Sequence, residues 1–457
     1  MKRIISIFLV LCLCIMSCGC SIQKKKGETV SESAEGSQDE EDILKQAGKI
    51  LKQMSMDEKI GQLFLIDLNE LSEDGTPITK MTEKLKEKME TYHIGGVILD
   101  SSNIESVEQI CQLTKELASL EGVTLYIGTE EEGGGSRSIA VHNKEIDGTG
   151  YISPSDMGGN MSEAQLEDTG KVIARELKEL GFNFNLAPCA DIWKEEDVNR
   201  ISMAEIRNIA MQAVGDPPKE PKIKKKMSKK KARKRKQKYE KKLAAYEKKV
   251  QAYLDEYLVK DAKQSCFSDV EEVVGMAAEA MVTGMKEEGL ATAVKTFPGL
   301  APVARYHKMI PCEIDTGLSQ LRRENFSTFS ATMDADTNMM MVGHVILSKI
   351  DKSVPASFSR TIMSDLIRKE LGFEGVLFTE ALNLPVITNQ YTPEEAEIKA
   401  LIAGADMLYN PVDLEEAIFH VSRAVMSGDI SEKQIDQVVL RILQDKIQQG
   451  IYQYKTN

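Results

Sequence analysis

Side chains able to move protons or attack an electrophile stand where short apolar runs of this 457-residue chain end. Thr124–Thr129 leads into Glu130-Glu131-Glu132-Gly133-Gly134-Gly135-Ser136-Arg137. Phe182–Ala187 leads into Pro188-Cys189-Ala190-Asp191. Ala291–Phe297 carries Lys295 and Thr296, and His307 stands on the loop beyond it. His344 falls within Met339–Leu347, and Thr379-Glu380 follow Gly375–Phe378. Several carboxylates around one opening, with a histidine on a loop, are what acid–base or nucleophilic work at a glycosidic bond requires. For any one of these residues alone, solvation or capping of a loop is the competing role. Cys111, Cys189, Cys266 and Cys312 lie far apart without Cys-x-x-Cys spacing, so they read as small core residues rather than zinc ligands or a disulfide framework. No metal or cofactor is expected, because chemistry of this kind needs none.

The elements that must position these residues alternate. Eight candidate strands are Gln62–Ile66, Gly95–Leu99, Thr124–Thr129, Phe182–Ala187, Ala291–Phe297, Met339–Leu347, Gly375–Phe378 and Asp406–Tyr409. Helical stretches such as Ser106–Leu120, Ser162–Leu180, Glu271–Glu288 and Thr361–Leu371 fill most gaps. Near-continuous apolar strands separated by helices imply a parallel sheet. Eight such units predict an α/β fold closed as a (β/α)₈ TIM barrel over residues 42–457, with its working groups at the C-terminal ends of the strands. A doubly wound open sheet is the alternative, but no Gly-x-Gly-x-x-Gly follows a strand to support it. The rhythm breaks after the fourth strand, where residues 195–262 form a basic helical insertion. It holds Pro217-Pro218 and then a seam of Tyr239, Leu243, Tyr246, Val250, Tyr253 and Tyr257 in steps of three and four. The seam fits a packed surface helix, with a protruding arm or docking helix as the alternative.

Charge is unevenly spread. The chain carries −13 overall, yet residues 219–249 hold 17 Lys and Arg against 3 Glu, leaving about −27 for the remainder. A 42% hydrophobic content permits a large core, while one Trp and 5% aromatics argue against a surface rich in sugar-stacking platforms. Lys2 and Arg3 precede the uncharged run Ile4–Met16, which is too short to span a bilayer as a helix, and Ser17-Cys18-Gly19-Cys20 follows. This segment resembles a bacterial lipoprotein signal over residues 1–20, with Cys20 carrying the lipid and Cys18 as the alternative. Residues 21–41 read as a disordered tether. The expected location is the outer side of the cytoplasmic membrane, held there through the lipid anchor. The basic run then suits an anionic envelope polymer or lipid headgroups, and export argues against nucleic acid.

Seven segments occur in a familiar order: MSMDEKIGQLFLI from Met54, YHIGGVIL from Tyr92, GFNFNLAPCADI from Gly181, KTFPG from Lys295, PASFS from Pro355, ELGFEGVLFTEAL from Glu370 and AGADML from Ala403. They resemble the catalytic barrel of family 3 glycoside hydrolases, in the branch of bacterial β-N-acetylhexosaminidases. The resemblance implies Glu380 as the nucleophile and His307 as the acid/base. It implies Glu130, Arg137, Asp191, Lys295 and His344 as substrate-binding residues, and an amino-sugar glycan or cell-wall fragment as the partner. Several positions depart from the family pattern. Glu380 replaces an Asp, Arg305 stands where an Asp should support His307, Thr296 replaces a His, and Gly135 replaces an Arg. These departures share one direction, toward weakened catalysis, because a misplacement near 1 Å can cost about a hundredfold. Two functions follow: a hexosaminidase-like envelope hydrolase of low activity, or a non-catalytic binder of glycan or an envelope partner. Lys295, His307, Glu380 and Glu130 sharing one pocket would favour hydrolysis, whereas Arg305 or Tyr306 filling it would disfavour it.

Overall fold

The computed structural model describes residues 32–134, 152–194, 203–223, 227–258, 262–300 and 306–452. Cys20, Arg137 and Arg305 lie outside them. The chain divides into two compact units, residues 1–45 and 46–457. The described part of the first is helical and belongs to a helix spanning Glu32–Leu51. Helical backbone therefore begins inside the segment 21–41 that composition reads as a tether.

The second unit is the barrel. Its strands are β1 Phe64–Asp67, β2 Gly96–Ile98, β3 Tyr126–Thr129, β4 Phe184–Asn185, β5 Ala291–Phe297, β6 Met339–Val342, β7 Val376–Thr379 and β8 Leu408–Tyr409. All neighbours pair in parallel, in chain order. β1 pairs with β8 through Phe64–Leu408 and Leu65–Tyr409, and a single bridge from Phe378 to Met407 brings β7 to the start of β8. Each predicted strand is thus present. Most are shorter than the sequence suggests, and Met339–Leu347 does not run through. The sheet strand stops at Val342, and Ile346–Leu347 instead pairs with Glu313–Ile314 beside the barrel. Between them lies His344, whose ring is tied to Ser357 and Ala381 rather than to the barrel ladder.

Alternation along the strands creates two apolar layers. Leu65, Tyr126, Ala293, Met341 and Phe378 fill the barrel interior. Their neighbours Phe64, Ile127, Val294, Met340 and Leu377 pack outward in the layer shared with the helices. The helix Glu432–Gln448 seals the N-terminal end of the barrel. Its Ile442 joins the interior layer. Its Lys446 is fully buried and donates to Gln62 Oε1 at 2.9 Å and to the Gly95 carbonyl at 2.8 Å. Tyr126 donates to Asp445 at 2.5 Å. Nearby, the carboxylate of Asp406 accepts from Arg368, Arg441 and the Leu377 backbone N–H.

The insertion after β4 contains helices Met203–Val214 and Lys229–Tyr257, then a short turn Ala262–Ser265. Tyr246, Val250 and Leu254 recur every four residues and are buried, as are Ile206 and Ala210 of the shorter helix. Arg207 pairs with Glu247 across the two helices. The tyrosine seam is therefore a packed face from Leu243 onward. Before that point the long helix is solvent-exposed at every position except the half-buried Ala232 and Tyr239.

Candidate active site

The alternation that fills the barrel interior also builds the site. Residues on the inward parity continue past the last apolar layer at the C-terminal ends of the strands: Asp67 after Leu65, Glu130 after Tyr126 and Gly128, Lys295 after Ala293, Glu380 after Phe378, and Tyr409 after Met407. All five line one cavity of about 320 Å³, at the small end of the roughly 300–1,000 Å³ of ligand pockets. His307, Lys308, Asp191, Thr296 and Asn410 share its wall. Glu256, Tyr257 and Ala262 of the insertion also line it, as do Ser265 and Cys266 just after, so the insertion reaches the catalytic face.

Glu380 and His307 are in contact. His307 Nε2 lies 2.7 Å from Glu380 Oε1, and both side chains are buried. Burial alone would raise the Glu380 carboxyl, but the charge and hydrogen bond of His307 outweigh it and pull the carboxyl down to about 2. Glu380 is thus an ionised acceptor, and the shared proton belongs to His307 Nε2. The other carboxylate oxygen accepts from the His344 backbone N–H at 3.3 Å. Gly343 beside it makes room. A Cβ there would sit 2.9 Å from Thr296 Cγ2 and 3.6 Å from Glu380 Oε2.

Lys295 forms ion pairs with Glu130 and, at 2.8 Å, with Glu132, whose side chain is almost fully buried. The β5–β6 register shifts between Val294 and Phe297, where Lys295 and Thr296 leave regular pairing. Asp191 caps the same segment. Its two oxygens accept from the backbone N–H groups of Thr296 at 3.1 Å and Leu300 at 2.9 Å. Burial raises its carboxyl to about 6 despite these bonds, leaving it ionised at neutral pH. Asp191 therefore positions the start of the stretch leading to His307 more than it offers an oxygen to a ligand. In Asp191→Ala two buried N–H groups lose their acceptor, each costing about 1–3 kcal/mol. A loss of roughly 2–6 kcal/mol in urea unfolding is expected. An unchanged midpoint would show that the cap carries no stability.

Five of the seven residues that the resemblance assigns to catalysis and substrate binding meet around this cavity: Glu380, His307, Glu130, Lys295 and Asp191. His344 does not line it. Its Nε2–H donates to the Ala381 carbonyl at 3.0 Å and its Nδ1 accepts from the Ser357 hydroxyl at 2.7 Å. Burial lowers its pKa, so the ring is neutral, and it holds the turn after β7. Arg137 lies outside the described residues. Tyr306 is buried and is not part of the cavity wall, so it does not fill the pocket.

Sequence reading missed Asp67, Tyr409 and Asn410. Tyr409 Oη and Asn410 Nδ2 both donate to Asp67 at 2.5 Å, and burial raises the Asp67 carboxyl to about 6. The signal was present, since Asp67 closes an apolar run as Glu380 does. It also missed Glu256 and Tyr257. Cys189 and Cys266, read as core residues, are buried in the cavity wall. The hydrogen bond between their thiols, together with burial, pushes the Cys189 thiol well up, which keeps it inert as a nucleophile.

The family model described as "Glycosyl hydrolase family 3 N terminal domain" matches residues 55–211 and 260–444, leaving out the intervening basic segment. Beta-hexosaminidase A of Pseudoalteromonas piscicida is 23% identical over 394 residues, covering 80% of this chain and 55% of its own length. A beta-hexosaminidase of Chromobacterium violaceum is 25% identical over 346 residues, covering 74% of this chain and 77% of its own. The chain thus spans about half the length of the first and three-quarters of the second. A β-N-acetylglucosaminidase of glycoside hydrolase family 3 from Paenibacillus superposes with a TM-score of 0.65 at 21% identity, over 88% of this chain and 64% of that one. A β-N-acetylhexosaminidase from Beutenbergia cavernae superposes at 0.60 with 22% identity, over 87% and 99%. At such identities the structural likeness is one of fold.

Proposed function

The chain belongs to glycosyl hydrolase family 3, and on that premise we propose that it binds β-linked amino-sugar glycans in the barrel cavity and cleaves them slowly. One observation carries this reading. Glu380, His307, Lys295 and Glu130 converge on a single cavity, with an ionised carboxylate against an imidazole that holds the shared proton. That is a nucleophile and a general acid in one place. A retaining mechanism uses the carboxylate to form a glycosyl-enzyme bond while the acid protonates the leaving oxygen, and water, giving its proton to that same group now acting as base, then breaks the bond and releases the sugar. Lys295 with its two glutamates, and Asp67 with Tyr409, offer polar groups to sugar hydroxyls.

The slowness has a physical origin in the same contact. Two catalytic carboxylates of a retaining enzyme stand about 5 Å apart. Here the attacking oxygen already accepts a hydrogen bond from the acid at 2.7 Å, so a sugar must separate the pair before it can react. Hydrolysis of an aryl β-N-acetylglucosaminide by the purified protein, with Glu380→Gln as control, tests the reading. Low turnover absent from the control supports it. No turnover and no binding of N-acetylglucosamine would overturn it. Binding without turnover would establish the non-catalytic alternative.

We further propose that Cys20 anchors the protein at the outer side of the cytoplasmic membrane and that the basic insertion faces an anionic envelope polymer. Cys20→Ala should release the protein from membranes or leave its precursor uncleaved. Unchanged lipidation would assign the anchor to Cys18.

A further inference from the structure

The basic part of the insertion lies outside the family match. The family match stops at residue 211 and resumes at 260. The long helix Lys229–Tyr257 lies within that gap and has two unlike halves. Of its first fourteen residues ten are Lys or Arg and one, Glu240, is acidic. Among the described residues none of those ten forms an ion pair. At a rise of about 1.5 Å per residue, this half is a rod roughly 20 Å long. Its charges surround the axis, since no apolar stripe interrupts them. The second half packs on Met203–Val214, and its last residues, Glu256 and Tyr257, enter the cavity wall. One rigid element therefore joins an exposed cationic rod to the rim of the sugar pocket.

We propose that this rod holds an anionic glycan polymer, bearing repeated phosphate or carboxylate groups, so that its amino-sugar units reach the cavity. The polymer's identity as substrate rests on the glycosidase reading; its capture by the rod does not. Outside residues 219–249 the chain carries about −27 by formal charge, which repels a polyanion away from the rod and thereby orients it. A membrane surface fits less well. Helices that lie in the interface need an apolar face to bury, and the first fourteen residues offer only Ala232 and Tyr239.

The test compares the full chain in detergent with a variant carrying Lys230→Gln, Arg233→Gln, Lys234→Gln, Lys238→Gln and Lys241→Gln. Probes are labelled poly(glycerol phosphate), hyaluronan, a neutral chito-oligosaccharide and vesicles containing phosphatidylglycerol. The unaltered protein is expected to bind at least one anionic polymer. Affinity should drop about tenfold or more in the variant, and comparably between 0.1 and 0.4 M salt, as for other polycation–polyanion contacts. Preference between the two polymers distinguishes phosphate from carboxylate as the recognised group. Binding of N-acetylglucosamine should be the same in both proteins. Equal polymer binding by both proteins, or binding to vesicles with none to either polymer, would overturn the proposal. Loss of N-acetylglucosamine binding alone would overturn the glycosidase reading and leave the rod's role intact.

Discussion

Hydrolysis of an aryl β-N-acetylglucosaminide is expected to fall by roughly a thousandfold or more in Glu380→Gln and to rise about tenfold in Glu380→Asp. The loss follows from removing the charge that attacks the anomeric carbon. The gain follows from the contact of Glu380 Oε1 with His307 Nε2 at 2.7 Å. A hydrogen bond to a charged group is worth about 1.5–3 kcal/mol net, and each 1.36 kcal/mol of barrier is about tenfold in rate. Breaking this bond before attack therefore costs roughly ten- to a hundredfold. Shortening the side chain withdraws the carboxylate by about 1.5 Å, one carbon–carbon bond, and opens the gap that the sugar must otherwise force. Adding Arg305→Asp should raise the rate further than either change alone, because nucleophile and acid serve the same transition state. Steady-state rates at saturating substrate decide the matter. A Glu380→Gln protein as active as the parent would remove Glu380 from the mechanism. A Glu380→Asp protein less active than the parent would mean the longer side chain is the working one.

The second large effect is on stability. Asp406 is 1% exposed and binds Arg368, Arg441 and the Leu377 N–H together. Arg368 also donates to the carbonyls of Phe373, at 2.8 Å, and Gly375, at 2.5 Å, so it clamps the entry to β7. Burial pulls the Arg368 pKa down to about 10 even with Asp406 beside it. In Asp406→Ala that cation stays buried without its counter-charge, a change that typically costs about 3–5 kcal/mol. The urea midpoint should fall accordingly, with the slope of the transition preserved. Asp406→Asn, which keeps an acceptor for Leu377, should lose less. If the Ala and Asn proteins unfold together with the parent, solvent must reach Arg368 and the clamp contributes nothing.

The fold was legible because its signal is local. Each barrel strand is an apolar run, and eight of them alternate with helices. Met339–Leu347 misled because the run stays mostly apolar while the chain departs from the sheet after Val342, a path set by His344's partners Ser357 and Ala381. The same histidine was read as substrate-binding for that reason. A polar residue near a strand end looks alike whether it faces the cavity or supports a turn. Parity would have separated some of these cases. Asp67 and Tyr409 share the inward parity of Leu65 and Met407, so extending the strand-end rule to the first and eighth strands would have found them. No such rule finds Glu256 and Tyr257. Their place in the cavity wall depends on where a long insertion returns, which is fixed by the burial of Tyr246, Val250 and Leu254 on the preceding turns of the same helix.

The seal beneath the barrel has a temporal consequence. β1 waits for β8, which lies more than three hundred residues later, and Gln62 and Gly95 wait for Lys446. A chain emerging from its N-terminus can form helices and neighbouring strand pairs early, but its first strand keeps an open edge until almost the whole sequence has appeared. Loss of Glu432–Gln448 would leave the floor without Ile442, Asp445 and Lys446 while sparing every residue at the mouth. Such a shortened chain would carry all the chemistry described above, and only the two residue pairs joining β1 to β8 would hold it in a ring.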